Sequence, residues 1–213
     1  MKDTDLDFIH RLIPPDSNAK EAELTLLLLH GTGGNEDDLI PLGKELAPNA
    51  SILSVRGKVL ENGMPRFFRR LEEGVFDMED LKIRTDELAE FIVKSSSAYM
   101  FDAESVIAVG YSNGANIAAS LLLRRPEVLA GAILFRAMVP FIPTVMPDLS
   151  KKSIILLEGL YDPIVSKAEA ESLLELFTKT QSSVTLKWQN SGHNLTQEDI
   201  VAAKKWLESN SNL

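Results

Sequence analysis

Residues 105–125 read SVIAVGYSNGANIAASLLLRR, and the fold turns on how that stretch is parsed. Ser105–Val109 is a continuous apolar run, which suits a strand buried on both faces. Asn113–Arg125 is small and apolar on nearly every face, which predicts a helix packed closely on a sheet. Between them stands Gly110-Tyr111-Ser112-Asn113-Gly114. Gly-x-Ser-x-Gly alone is a weak signal. A strand before it and a helix after it make it a nucleophile elbow, in which glycines two positions either side of the serine let the chain double back without collision. Such a turn exposes the hydroxyl and points a helix N-terminus at it. The plainer parse is an ordinary strand-to-helix turn with a serine cap.

The same alternation continues outward from this stretch. Leu24–Leu29, Ser51–Val55, Ala132–Phe135, Ser153–Leu157 and Val184–Trp188 read as further strands, with Phe8–Ile13 a weaker one. Helices are predicted over Asp80–Lys94, from a capping box at Ser166 to about Lys179, and from Thr196 to near Glu208. Asn35 is expected to cap another helix, with Glu36, Asp37 and Asp38 in its first turn. Strand and helix in repetition predict an α/β fold. Its mostly parallel sheet has about six or seven strands and helices on both faces, in one domain over 1–213 with no separate cap domain. In such a sheet ligands sit beyond the carboxyl ends of the strands, so the loops after strands hold the chemistry.

Composition narrows the function classes. The chain has 213 residues, 45% of them apolar and 25% charged, as in a soluble globular protein. It has no cysteine, which excludes disulfides, thiolate metal sites and a cysteine nucleophile. Lys+Arg is 22 against 31 Asp+Glu, a formal charge of −9 that disfavours nucleic acid and anionic lipid as partners. The opening MKDTDLDF is acidic and polar, unlike a signal peptide. The apolar runs are too short to cross a bilayer. A cytoplasmic protein without membrane insertion is expected, its oligomeric state open.

His30-Gly31-Thr32-Gly33-Gly34 directly follows the run LTLLLL. A dinucleotide fingerprint needs a glycine where Glu36 stands, and a phosphate loop needs a Gly-Lys-Ser/Thr ending that is absent. The remaining readings are a glycine-rich turn without a ligand and an oxyanion loop. In the latter, the backbone N–H groups of Thr32 and Asn113 would stabilise a tetrahedral intermediate. Of three histidines, His10 lies on the weak first strand and His30 belongs to the oxyanion loop, where hydrogen bonding is its expected work. His193, between the last strand and the last helix, is the one placed to serve Ser112 as general base. The carboxylate is expected between serine and histidine in the chain. Asp162 sits in the loop after one strand, Glu158 lies too close to that strand's end, and Asp148 lies at the wrong end. Asp162 is therefore the expected acid, orienting His193.

These segments resemble the α/β-hydrolase superfamily, and within it the phospholipase/carboxylesterase branch. The resemblance runs from about Leu24 to the last helix and rests on HGTGGNEDDL at 30–39, GYSNGANIA at 110–118, GLYDPIV at 159–165 and SGHN at 191–194. VRGKVLENGMPRFFRR at 55–70 is similar to bacterial hydroquinone-responsive, dienelactone-hydrolase-like serine carboxylesterases. Dienelactone hydrolases proper use a cysteine, which this chain lacks. The resemblance implies a Ser112–Asp162–His193 triad, oxyanion donors at Thr32 and Asn113, and an acyl-enzyme route for small carboxylic esters or thioesters without metal or cofactor. Lysophospholipase or acyl-protein thioesterase activity is the alternative within enzymes. A catalytically silent binding protein is the alternative outside them.

Two longer segments after strands, Arg56 to Phe76 and Arg136 to Leu149, are the expected walls of a substrate pocket. Met64, Phe67, Phe68, Met138 and Phe141 are its apolar candidates, against simple loop packing. Arg136 and Arg56 stand at strand ends, where either can hold a loop carboxylate. Arg66, Arg69 and Arg70 either recognise a negative group or form salt bridges on an acidic protein.

Overall fold

Continuous apolar runs form the inner strands because both of their faces meet helices. In the computed structural model, which describes residues 6–15 and 24–210, the first elements are β1 (His10–Ile13), β2 (Thr25–Leu29), α1 (Ile40–Leu46) and β3 (Ser51–Val55). Two short hairpins follow, β4 (Val59–Glu61) with β5 (Met64–Arg66), and β6 (Arg70–Glu72) with β7 (Val75–Phe76). Then come α2 (Met78–Tyr99), β8 (Val106–Tyr111), α3 (Asn113–Arg124) and β9 (Gly131–Phe135). The last elements are β10 (Ser153–Gly159), α4 (Lys167–Lys179), β11 (Ser183–Gln189) and α5 (Gln197–Ser209). Residues 1–5 of the acidic opening stretch lie outside the described residues.

The central sheet has seven strands in the order β1-β3-β2-β8-β9-β10-β11. Only β1 is antiparallel, pairing His10 with Val55 on β3. Alternate residues of each strand enter opposite layers. Leu27, Leu29, Ala108, Leu134 and Leu156 pack toward α2, α3 and α4, while Leu26, Leu28, Val109, Ile133 and Leu157 pack toward α1 and α5. After β3 the chain crosses to β8 on the far side of β2. The carboxyl ends of β2 and β8 therefore flank the reversal in strand order, where such sheets bind ligands.

Two local expectations are corrected. Asn35 does not cap a helix: its Oδ1 accepts from the Asp37 N–H at 2.8 Å in a local turn, and α1 starts only at Ile40. Arg56 grips Glu36 inside that turn through both carboxylate oxygens. Ser166 caps α4, accepting from Glu169 N, but the Glu169 carboxylate accepts from Val139 N at 2.9 Å and so does not close a capping box. The box at Thr196 is complete, with Asp199 as its reciprocal partner. The two hairpins within Arg56–Phe76 are not among the expected elements. Asn62 and Gly63, at φ of 52° and 80°, form the turn between β4 and β5, and an Asn-Gly pair is the sequence signal for it.

Candidate active site

Ser112 follows β8 with φ 52° and ψ −113°, a strained backbone for a residue with a side chain. The strain is held from both sides. Ser112 N–H donates to Phe135 O on β9 at 2.9 Å, and Asn116 N–H donates to Ser112 O at 2.9 Å. Both glycines of the motif are required by space. A Cβ on Gly110 would meet Gly114 O at 2.6 Å and the Ala115 backbone at 2.7 Å. A Cβ on Gly114 would overlap the carbonyl oxygens of Leu29 and His30.

His193 Nε2 lies 3.0 Å from Ser112 Oγ, and His193 Nδ1 lies 2.8 Å from Asp162 Oδ2. The Asp162 side chain is fully buried, and its other oxygen accepts from the N–H groups of Ile164 and Val165 at 2.8 and 3.1 Å. An ionised carboxylate only accepts, so Nδ1 carries the proton and Nε2 is left to accept from the serine hydroxyl. The three side chains come from the loops after β8, β10 and β11.

The loop from His30 to Gly34, the expected oxyanion loop, brings its own supports. His30 Nδ1 lies 2.6 Å from Gly31 O, and its Nε2 accepts from the Gly57 N–H at 3.0 Å. Burial pushes the His30 imidazole below its ordinary range, which favours the neutral ring this pairing needs. Asn113, first in α3, has an N–H with no acceptor inside the helix. The Thr32 N–H has no acceptor among the described residues. The exit from β5 touches both halves. Pro65 O accepts from Gly33 N–H at 2.9 Å, Arg66 Nη1 donates to Thr32 Oγ1 at 2.6 Å, and Phe67 N–H donates to Asn113 Oδ1 at 2.7 Å.

Glu158 lies at the end of β10, fully buried, and accepts from the Ala137 N–H at 2.8 Å. Burial pushes its carboxyl well above the usual range, against the opposing Ala137 N–H and Arg136 charge. It anchors a loop and makes no bond to His193.

A cleft of about 340 Å³ opens over Ser112, with Thr32, Asn113 and His193 on its wall. Of the expected pocket residues, Met138 and Arg136 line it. Phe67 and Phe68 do not: both are core side chains, and Phe68 stacks edge-on with Phe76. Met64 stands outside it, over Gly33, and Phe141 packs on the core. The apolar wall is instead Phe76, Met138, Ile164 and Val165. The arginine cluster divides. Arg69 pairs with Asp77 and Asp80 at the start of α2, while Arg66 and Arg70 share Glu61 and line the cleft.

Arg136 is the residue whose work the sequence least revealed. It is fully buried, with φ 57°, and forms a two-pronged pair with Asp199 at 2.9 and 2.7 Å. Its remaining bonds reach Gly192 O, Ser191 Oγ and Asn194 O, all within two residues of His193, and Leu157 O on β10. Tyr111 adds a bond from its hydroxyl to His193 O at 3.2 Å.

A mostly parallel sheet with a strained serine at its strand-order reversal has the α/β-hydrolase fold. The chain belongs to the phospholipase/carboxylesterase family, whose model matches residues 16–211. It is 51% identical over 183 residues to the hydrolase MhqD of Bacillus subtilis, covering 86% of this chain and 92% of that protein. A Bacillus cereus carboxylesterase structure is 48% identical with a TM-score of 0.91, over 95% of this chain and 94% of its own. A structure of YahD with malic acid is 31% identical with a TM-score of 0.89, over 95% and 98%. Esterase function follows from the family and from the carboxylesterase among these neighbours. Among the described residues no helix is long and apolar enough to cross a membrane.

Proposed function

We propose that the chain is a single-domain serine carboxylesterase that hydrolyses small carboxylic esters through an acyl-enzyme, with Ser112, His193 and Asp162 as its triad. The observation that carries this reading is the unbroken bond line from Ser112 Oγ to His193 Nε2 and from His193 Nδ1 to Asp162 Oδ2. Ser112 Oγ attacks the ester carbonyl carbon and its proton passes to His193 Nε2. The carbonyl π pair moves onto oxygen, where the N–H groups of Thr32 and Asn113 receive the charge. Collapse re-forms the carbonyl and breaks the bond to the alcohol oxygen, which leaves with the proton from His193. Water then attacks the acyl-enzyme, gives a proton to His193, and the acid departs as Ser112 regains its hydrogen. Asp162 keeps Nδ1 protonated and stabilises the imidazolium.

The cleft supports short substrates. Its volume lies at the low end for small-molecule sites, and Phe76, Met138 and Val165 are among the side chains that line it. Each methylene that fits adds about 0.8 kcal/mol, so kcat/KM should rise with acyl length until the cleft is full. A series of 4-nitrophenyl esters from acetyl to palmitoyl tests this. The expected optimum is near butyrate. A rise continuing to palmitate would move the reading to a lysophospholipase or thioesterase.

A further inference from the structure

Three arginines face this cleft or its immediate frame, and they are compensated differently. Arg136 is neutralised by Asp199 and its donors are spent on the protein. Arg66 and Arg70 are not matched in this way. Among the described residues Glu61 is the one carboxylate they share, 3.3 Å from Arg66 Nε and 2.8 Å from Arg70 Nη2. The other partners of Arg66 are neutral, Phe68 O and Thr32 Oγ1. Arg66 Nη2 and Arg70 Nη1 have no acceptor among the described residues.

Placement gives the excess charge a meaning. Arg66 is 3% exposed, and the small part of it that stays open faces the cleft, so an anion arriving there meets a cation with only half a counter-ion. Burial also pulls its pKa down, with Arg70 adding to the effect and Glu61 opposing it. Glu73 is the competing anion on the cleft. It is exposed on the turn between β6 and β7 and pairs with neither arginine among the described residues, so water screens it. Because Arg66 reaches the Thr32 hydroxyl, an anion on this pair would sit beside the proposed oxyanion loop and within the volume of a small ester.

We propose that Arg66 and Arg70 form a carboxylate-binding subsite, and that the favoured substrates are small esters carrying their own carboxylate, such as half-esters of short dicarboxylic acids. This rests on the esterase reading of the same cleft. The guanidinium fork matches a carboxylate in two-pronged geometry, and bonds between ions are the stronger class of hydrogen bond. The acidic surface does not oppose the idea, because long-range repulsion is screened over about 8 Å at physiological salt.

The test compares the mono-4-nitrophenyl ester of glutaric acid with its neutral methyl diester. Wild-type kcat/KM should favour the anionic ester at least tenfold, mainly through KM, and the preference should shrink with added salt. Arg70→Gln should collapse the ratio toward one. Glu61→Gln, which frees both arginines, should raise it. Equal or better turnover of the neutral ester by the wild type overturns the proposal, as does a ratio indifferent to both substitutions. Should neither ester turn over, the esterase reading fails separately. The subsite is then tested by calorimetry of glutarate on the wild-type protein, where binding that Arg70→Gln abolishes upholds it and no binding refutes it.

Discussion

The loop that carries His193 and the loop that carries Thr32 face each other across Ser112, but they are fixed by different means. The His193 loop is tied to the sheet by a buried cation. Arg136 binds Asp199 at the start of α5 and three groups within two residues of His193. The Thr32 loop leans on the exit strand of a small hairpin outside the sheet, through single bonds to Pro65 O and Arg66, with His30 bonded to Gly31 O inside the loop. One side belongs to the core. The other can be loosened without opening it. Stability and activity should therefore separate between the two sides.

Ser112 is common to both, and its loss should be the largest effect. Ser112→Ala should lower kcat by about 10⁴ or more while circular dichroism stays native. Asp162→Asn should follow, with a loss on the order of 10⁴, because asparagine favours the wrong imidazole tautomer. A loss in Glu158→Gln equal to that in Asp162→Asn would reassign the acid.

Arg136→Met strands the buried Asp199 carboxylate, and breaking such a pair costs about 3–5 kcal/mol. Chemical denaturation should show that loss together with reduced activity. Thr32→Val removes only the acceptor of Arg66. It should cost about 1–3 kcal/mol in stability, less than Arg136→Met, yet lower kcat about tenfold with KM little changed. Similar stability losses in the two variants would dissolve the contrast.

The fold and the acid–base side were legible because local pattern and global position agree there. Continuous apolar runs report strands buried on both faces, the capping signal at Thr196 reports a helix start, and the Gly110–Gly114 turn reports a close approach of backbones. The pocket wall was not legible. Phe67 and Phe68 have the composition of a pocket and the positions of a core, and sequence does not tell which way an irregular segment turns its side chains. The Asn62-Gly63 turn was a readable sign of the hairpin that reverses this segment. Arg136 stood out at its strand end, but its partner Asp199 lies 63 residues away and presents itself in sequence as a helix cap.

The smallest expected effect belongs to Glu158. Its carboxyl is raised well above the ordinary value by burial, so between the ordinary and the raised value the folded state binds more protons than the unfolded state. That contribution is fully present below the ordinary glutamate pKa, about 4.3, and is lost as pH rises through the raised folded value. Glu158→Gln removes this dependence. Melting temperatures at pH 5 and pH 8 should show the variant gaining on wild type at the higher pH, with activity little altered. A parallel pH dependence in both proteins would mean that Glu158 is ionised in the fold.

The central claim is that Ser112 is the nucleophile, activated by its place on the turn after β8. Treatment of the intact protein with a fluorophosphonate, followed by peptide mapping, tests it most directly. A single stoichiometric adduct on Ser112, abolished in Ser112→Ala and strongly slowed in Asp162→Asn, is the predicted result. A protein that turns over esters while its adduct forms on another residue, or does not form at all, would contradict it.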